Sequence, residues 1–291
     1  MTATASRVER WLLVEHRGAW GPESVPSGRM SVNLSRALAQ QAAAARARLL
    51  LVRRPASRST PTQTPGRWVF AVESRPGRER VLTRHVEDDV DLVALAPPYA
   101  MDPAGAAAAG GHAVDGPLYL DCTHGRHDRC CAILGRPVAQ ALAEVHPERV
   151  WESSHVGGDR FAANLVVLPD GLYLGRVDVD EVVDVVRALT AGQLPPALVR
   201  GRSSLPLPTQ AAQQFARAAT GRWGVFDLAP TAQEAAGPDA WLVRLTGPAG
   251  PDLEVVVRYD RHGDGTAHLL SCDVDQAKIP PMFRLVSLQS R

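Results

Sequence analysis

Leu118-Tyr-Leu-Asp-Cys122-Thr-His-Gly-Arg-His-Asp-Arg-Cys130-Cys131, with the helical stretch that follows it to Val145, decides how this chain is read. Residues 117–121 have the short apolar pattern of a strand. Beyond Cys131, the apolar residues Ile133, Leu134, Val138, Leu142 and Val145 recur at helical spacing. A strand therefore runs into a loop of cysteine and histidine, and the loop opens into a helix. Further on, residues 150–154 and 164–168 read as strands, and Pro169-Asp-Gly171 is a turn leading to a return strand over 172–177. Asp178 is placed to cap a helix over 179–190, with Val182, Val183, Val186 and Leu189 on its inner face.

That order of elements suits an α/β domain of three layers, in the thioredoxin-like class. Upstream, 10–15 reads as a buried strand and 33–51 as an alanine-rich helix; 53–66 is a loop, 68–73 a strand, and 81–95 a strand with a short helix. Residues 97–116, rich in glycine and alanine, have linker composition. The expected organisation is a smaller α+β domain over 1–110, then a thioredoxin-like ferredoxin domain over 111–291 with a C-terminal strand extension. The segment 192–208 breaks the pattern. The tail reads as a helix over 209–220 and strands over 240–246, 253–259 and 268–273. No internal repeat is evident.

A chain of 291 residues with 45% hydrophobic side chains can bury a full core without staples. Its formal charge of +1 gives no general attraction to nucleic acid, although ten arginines between Arg46 and Arg84 face only Glu73 and Glu79. No aromatic-interleaved basic motif accompanies them, so nucleic acid is not expected as a partner. No apolar run reaches the roughly 18 to 20 residues of a membrane-spanning helix, and no leader pattern opens the chain. A cytoplasmic location follows, where Cys130 and Cys131 would persist as thiols or metal thiolates. There is no G-x-S-x-G elbow, phosphate-binding loop or dinucleotide fingerprint after a strand.

Three of the four cysteines fall within ten residues, beside His124 and His127. Packing or disulfide stapling would scatter them, whereas metal ligation gathers them. Cys122 closes the strand, and Cys131 opens a helix whose N-terminus favours thiolate over thiol. A second arm, His155-Val-Gly-Gly-Asp159, passes through two glycines that let the backbone run close to a bulky group. Two arms with two candidate ligands each define a site with four donors. Cys130 serves equally as core or ligand, and His124 and His127 read first as loop donors.

The strings from Cys122 to Cys131, Val150-Trp-Glu-Ser-Ser-His-Val-Gly-Gly158, Arg160-Phe-Ala-Ala-Asn164 and Leu168-Pro-Asp-Gly-Leu-Tyr-Leu-Gly-Arg176 resemble the sucrase/ferredoxin-like family, related to thioredoxin-like ferredoxins. The likeness is strongest over 118–177 and reaches more weakly to Trp11-Leu-Leu-Val-Glu15, Trp20-Gly21 and His268-Leu-Leu-Ser-Cys272. It implies a 2Fe-2S cluster held by cysteines spaced C-x8-C and histidines spaced H-x3-H. Cys122 and Cys131 match the cysteines and His155 the first histidine, but Asp159 stands where the second belongs. Three outcomes are open. Asp159 completes an unusual cluster; Cys130, His124 or His127 takes its place; or the cluster is lost, leaving a zinc-bound or metal-free interaction module.

With the cluster, the protein is a one-electron carrier rather than an enzyme. Its imidazole ligation raises the potential above that of all-thiolate ferredoxins. A redox partner protein is expected, steered by a positive collar of Arg126, Arg129, Arg160 and Arg176. A thiol-redox enzyme using Cys130 or Cys131 lacks the usual C-x-x-C pair. Glycoside hydrolysis finds no convincing carboxylate pair among Asp121, Asp128 and Glu152.

Overall fold

The computed structural model describes residues 1–23, 30–56, 65–94, 103–108, 110–272 and 274–291. Residues 57–64 of the expected loop, residue 95 of the expected strand and helix, 97–102 and 109 of the expected boundary segment, and residue 273 of an expected strand lie outside that description. Strands β1 (Arg10–Glu15) and β2 (Arg48–Arg53) run parallel on either side of helix α1 (Val32–Ala44). β3 (Arg67–Glu73) pairs antiparallel with β1, β4 (Arg80–Val86) pairs with β3, and α2 (Asp89–Ala94) follows. After α3 (Pro103–Ala108), the two-residue β5 (His112–Ala113) lies outside β4.

The second half uses the same plan. β6 (Leu118–Cys122) and β7 (Val150–Ser153) are parallel and joined by α4 (Arg129–Val145). β8 (Asn164–Leu168) pairs antiparallel with β6 and β9 (Leu172–Gly175) with β8; α5 (Val182–Thr190) follows, and β10 (Val199–Arg202) lies outside β9. The halves meet where β2 and β7 run antiparallel, Val52 opposite Ser153 and Arg53 opposite Glu152. One ten-stranded sheet results, in the order β10-β9-β8-β6-β7-β2-β1-β3-β4-β5. The glycine- and alanine-rich segment therefore does not interrupt the sheet. Trp11, Leu13 and Val52 from one half share a core with Trp151, Val166 and Tyr173 from the other.

Strand registers fix which residues correspond. Reversing the antiparallel seam equates Val52 with Ser153, which lies directly opposite it. Val52 lies beside Glu15 and Ser153 beside Cys122, so Glu15 corresponds to Cys122; the His16 N–H bonds the Val52 carbonyl as the Thr123 N–H bonds that of Ser153. Ser31 and Asp128 cap α1 and α4, and three residues further on Leu34 stands where the second half has Cys131. The repeat is one of topology. Its thiol positions are filled once only.

Several elements differ from the sequence reading. The helix expected over 33–51 stops at Ala44, because Arg46 takes a positive φ of 51° and the apolar run that follows is β2, buried at the seam. A continuous apolar run fits helix and strand alike. In α4, Ile133, Leu134 and Val145 are exposed, while Cys131, Gly135, Val138 and Leu142 face inward. Gly135 sets that rotation, since a Cβ there would lie 2.4 Å from the Cys122 carbonyl oxygen. Gly135→Ala should push α4 off β6 and cost about 1 to 3 kcal/mol in denaturant unfolding. In α5, Val185 takes the buried place expected of Val183. β10 went unread because Val-Arg-Gly-Arg has no apolar alternation.

The tail forms α6 (Leu207–Thr220) and a second, antiparallel sheet of β11 (Ala229–Ala235), β12 (Ala240–Thr246), β13 (Leu253–Asp260) and β14 (Met282–Ser290). α6 packs Ala211, Ala212 and Ala216 against Val243, Val255 and Val257 of this sheet. The strand expected over 268–273 is replaced by a single bridge between His268 and Lys278.

Candidate metal centre

The donors are aimed by two apolar strands and one capped helix. Cys122 is the last residue of β6 and is fully buried. Cys131 lies in the first turn of α4, which Asp128 fixes: its Oδ1 accepts from the Cys130 N–H at 2.8 Å. Its Oδ2 accepts from the Ser271 hydroxyl at 2.7 Å and the Cys272 N–H at 2.8 Å. His155 follows β7, and Asp159 begins a short 3-10 turn, Asp159–Phe161.

These arms converge. Donor atoms of Cys122, Cys131 and His155 lie within 4.8 Å of one another, and so do those of His127, His155 and Asp159. His155 Nδ1 stands 3.0 Å from Asp159 Oδ1, and His127 Nε2 stands 3.8 Å from Asp159 Oδ2. The Cys131 thiol donates to Asp159 Oδ1 at 3.5 Å, and the rings of His127 and His155 are 3.7 Å apart between centroids.

Between His155 and Asp159 the chain takes positive φ at Gly157 (100°) and Gly158 (86°). Arg200, buried on β10, holds this turn: its Nη1 donates to the Gly157 carbonyl at 2.9 Å and to Asn164 Oδ1 at 2.6 Å. Asn164 in turn donates to the Gly158 carbonyl at 3.0 Å. A Cβ on Gly158 would come within 2.3 Å of the Arg200 guanidinium. Sequence reasoning missed Arg200, which is far away in the chain and carries no motif of its own; Asn164 was visible only as part of a family-like string.

The electrostatics favour a charged centre. A hydrogen bond from Cys131 holds the Cys122 thiol well below its ordinary value, against its burial and with help from His155. The same contact, with burial, raises that of Cys131. Burial opposes charge on His155, yet Asp159 and Cys122 push it up to about 9. Burial likewise opposes charge on Asp159, but His155 and then His127 keep it below the usual carboxylate range. In the metal-free protein, His155 should titrate near 9 by NMR rather than near the ~6.5 of a free imidazole. The folded value is raised, so its contribution to stability is full below about pH 6.5 and lost as pH rises through about 9.

The structure brings four predicted ligands, Cys122, Cys131, His155 and Asp159, to one place. Cys130 is a correction. It forms a disulfide with Cys272, with Cα atoms 6.2 Å apart, so it is neither a ligand here nor a free thiol. It lies one position from an inward-facing residue of α4, and its side chain turns to the tail, where Asp128 already anchors Cys272. Thiol titration of the denatured protein should find Cys122 and Cys131 free, and all four cysteines after reduction. His124 behaves as a loop donor: Nε2 contacts the Gly21 carbonyl at 2.7 Å, Nδ1 accepts from the His155 N–H at 3.2 Å, and its ring meets Trp20 edge-on. His127, read first as another loop donor, faces the centre.

Metal ligation suits this donor set. The His155 Nδ1 is buried without an aligned hydrogen-bond partner, beside two thiols and a second imidazole. The expected arginine collar is divided. Arg126 and Arg129 line a cleft of about 440 Å³ with Trp20, Arg53, Ile133 and Arg136, while Arg160 and Arg176 line another. Asp121 and Asp128 are fully buried and Glu152 pairs with Arg53 at 2.6 Å, which leaves none of the three free to act on a glycoside.

A mixed sulfur, nitrogen and oxygen donor set at the mouth of a βαβ unit defines a candidate metalloprotein of the α/β class. The chain belongs to the sucrase/ferredoxin-like family, whose model matches residues 1–201. That span takes in the donor arms and nearly the whole ten-stranded sheet. No curated protein and no solved structure gives a significant match. Among the described residues, no helix is long and apolar enough to cross a membrane.

Proposed function

We propose that the chain is a one-electron carrier whose second half is a thioredoxin-like unit holding a 2Fe-2S cluster. Its element order, with β6 parallel to β7 and antiparallel to β8, supports the thioredoxin-like reading. Cys122 and Cys131 are the thiolate ligands and His155 an imidazole ligand; His127 or Asp159 completes the set. The observation that carries the proposal is His127 against His155, because it supplies a second imidazole where the family spacing would have placed a histidine at 159. When bound, such a cluster exchanges single electrons at a potential raised by neutral nitrogen ligands.

The chain's own residues prepare for that group. Cys122 is buried and already disposed to ionise, while Arg200 and Asn164 hold the second arm in its turn. His155 and Asp159 keep a proton close to the donors. A redox protein with an acidic face suits the cleft lined by Arg126, Arg129 and Arg136, and neither nucleic acid nor a membrane is invoked.

Zinc is the second reading. The mutual approach of Cys122, Cys131 and His155 within 4.8 Å, with Asp159 adjacent, suits a tetrahedral site. Anaerobic purification followed by iron, acid-labile sulfide and zinc analysis separates the two. About two irons and two sulfides per chain, with visible colour, are expected; a colourless protein with one zinc overturns the carrier. In a loaded protein, His127→Ala should alter the cluster spectrum if His127 is the fourth ligand, whereas an unchanged spectrum would assign that place to Asp159.

A further inference from the structure

Arg160 and Arg176 belong to the family-like strings, yet the metal centre uses neither. Both reach one aromatic ring: the guanidinium carbons lie 4.5 Å and 5.8 Å from the Phe161 centroid, with Arg200 at 4.8 Å. Arg200 is already bound to Gly157, Asn164 and Thr4. Arg160 and Arg176 make no ion pair or side-chain hydrogen bond among the described residues. Arg160 is also half-buried. Clustered like charges without a counter-ion cost free energy, and a bound anion removes that cost. Arg176 moreover takes a positive φ of 59°, a conformation uncommon outside glycine and often met at ligand sites.

The two arginines face a cleft of about 230 Å³ between the large sheet and the tail sheet. Its other walls are largely apolar, from Phe161, Phe215, Pro281, Met282 and Phe283. Asp264 and His268 also line it. The Asp264 carboxylate is turned to its own loop, where it accepts from the Thr266 N–H at 2.9 Å.

We infer that this cleft binds a small organic carboxylate, its head between Arg160 and Arg176 and its apolar body against Phe161, Phe215 and Phe283. Guanidinium groups recognise carboxylates through paired, charge-assisted hydrogen bonds, and the apolar walls distinguish an organic acid from inorganic phosphate. The inference does not depend on which metal, if any, the neighbouring centre holds. The cleft nonetheless adjoins it, because Arg160 follows Asp159 in the same 3-10 turn.

Isothermal titration of the purified full-length protein with benzoate, benzyl alcohol and inorganic phosphate tests the assignment. Saturable binding of benzoate is expected, at least about tenfold tighter than either other probe, and Arg160→Gln and Arg176→Gln should each weaken it by about tenfold or more. Arg176 is exposed, so its replacement leaves the core intact, and the benzyl alcohol comparison needs no variant at all. Failure of benzoate to saturate, equal binding of benzyl alcohol, tighter binding of phosphate, or benzoate affinity unchanged in both variants would each overturn it. Metal analysis of the same preparation reports separately on the carrier proposal.

Discussion

In the proposed carrier, Cys122→Ala should lower metal content to less than about a tenth of the parent's, with the visible spectrum lost. Ligand loss exceeds the 10- to 100-fold effects typical of residues that merely support ligands. Cys122 is fully buried at the end of β6, and the contact with the neighbouring Cys131 lowers its pKa. No spare sulfur can replace it, because Cys130 is committed to Cys272. Cys130→Ser supplies the control: the tail loses its covalent tie to α4, but the donors stay where they are. Iron and sulfide assays on both variants check the expectation. Equal losses in the two would mean that the disulfide, and not the β6 thiol, governs loading.

Arg200→Met should destabilise the metal-free protein by about 3 kcal/mol or more, since charged hydrogen bonds are removed and their partners stay buried. Asn164 Oδ1, the Gly157 carbonyl and the Thr4 carbonyl all lose their donor. A shift in midpoint of roughly 5 to 10 °C follows for a chain of this size. The damage is directed at the His155–Asp159 arm, so the apparent affinity for metal should fall along with stability. Thermal melts with and without bound metal measure both. A melting curve matching the parent's would show that water or another side chain takes over these carbonyls.

The second half of the chain was legible because its strands are short, apolar and punctuated by turns, and because the thiols sit at element ends. β6, α4, β8 and β9 fall within a few residues of the pattern, and Asp178 accepts from the Asp180 N–H at its expected cap. Tertiary partners that leave no local trace were not legible. The Cys130–Cys272 bond spans 142 residues, and nothing near Cys130 announces it. Arg200 reaches the Gly157-Gly158 turn from an edge strand with no alternation. The role of His127 follows from the loop folding back over Gly125, which spacing alone does not reveal. The repeat was invisible for another reason: the two halves share connectivity and register, but Glu15 and Leu34 occupy the places of Cys122 and Cys131.

The seam between β2 and β7 carries one more consequence. A fragment limited to the second half would bare β7 as a sticky, unprotected edge beside the His155 arm, inviting self-association. The symmetry of the intact protein names the natural cover: another copy of the fragment, β7 against β7, in a twofold dimer with two Cys/His/Asp donor groups instead of one.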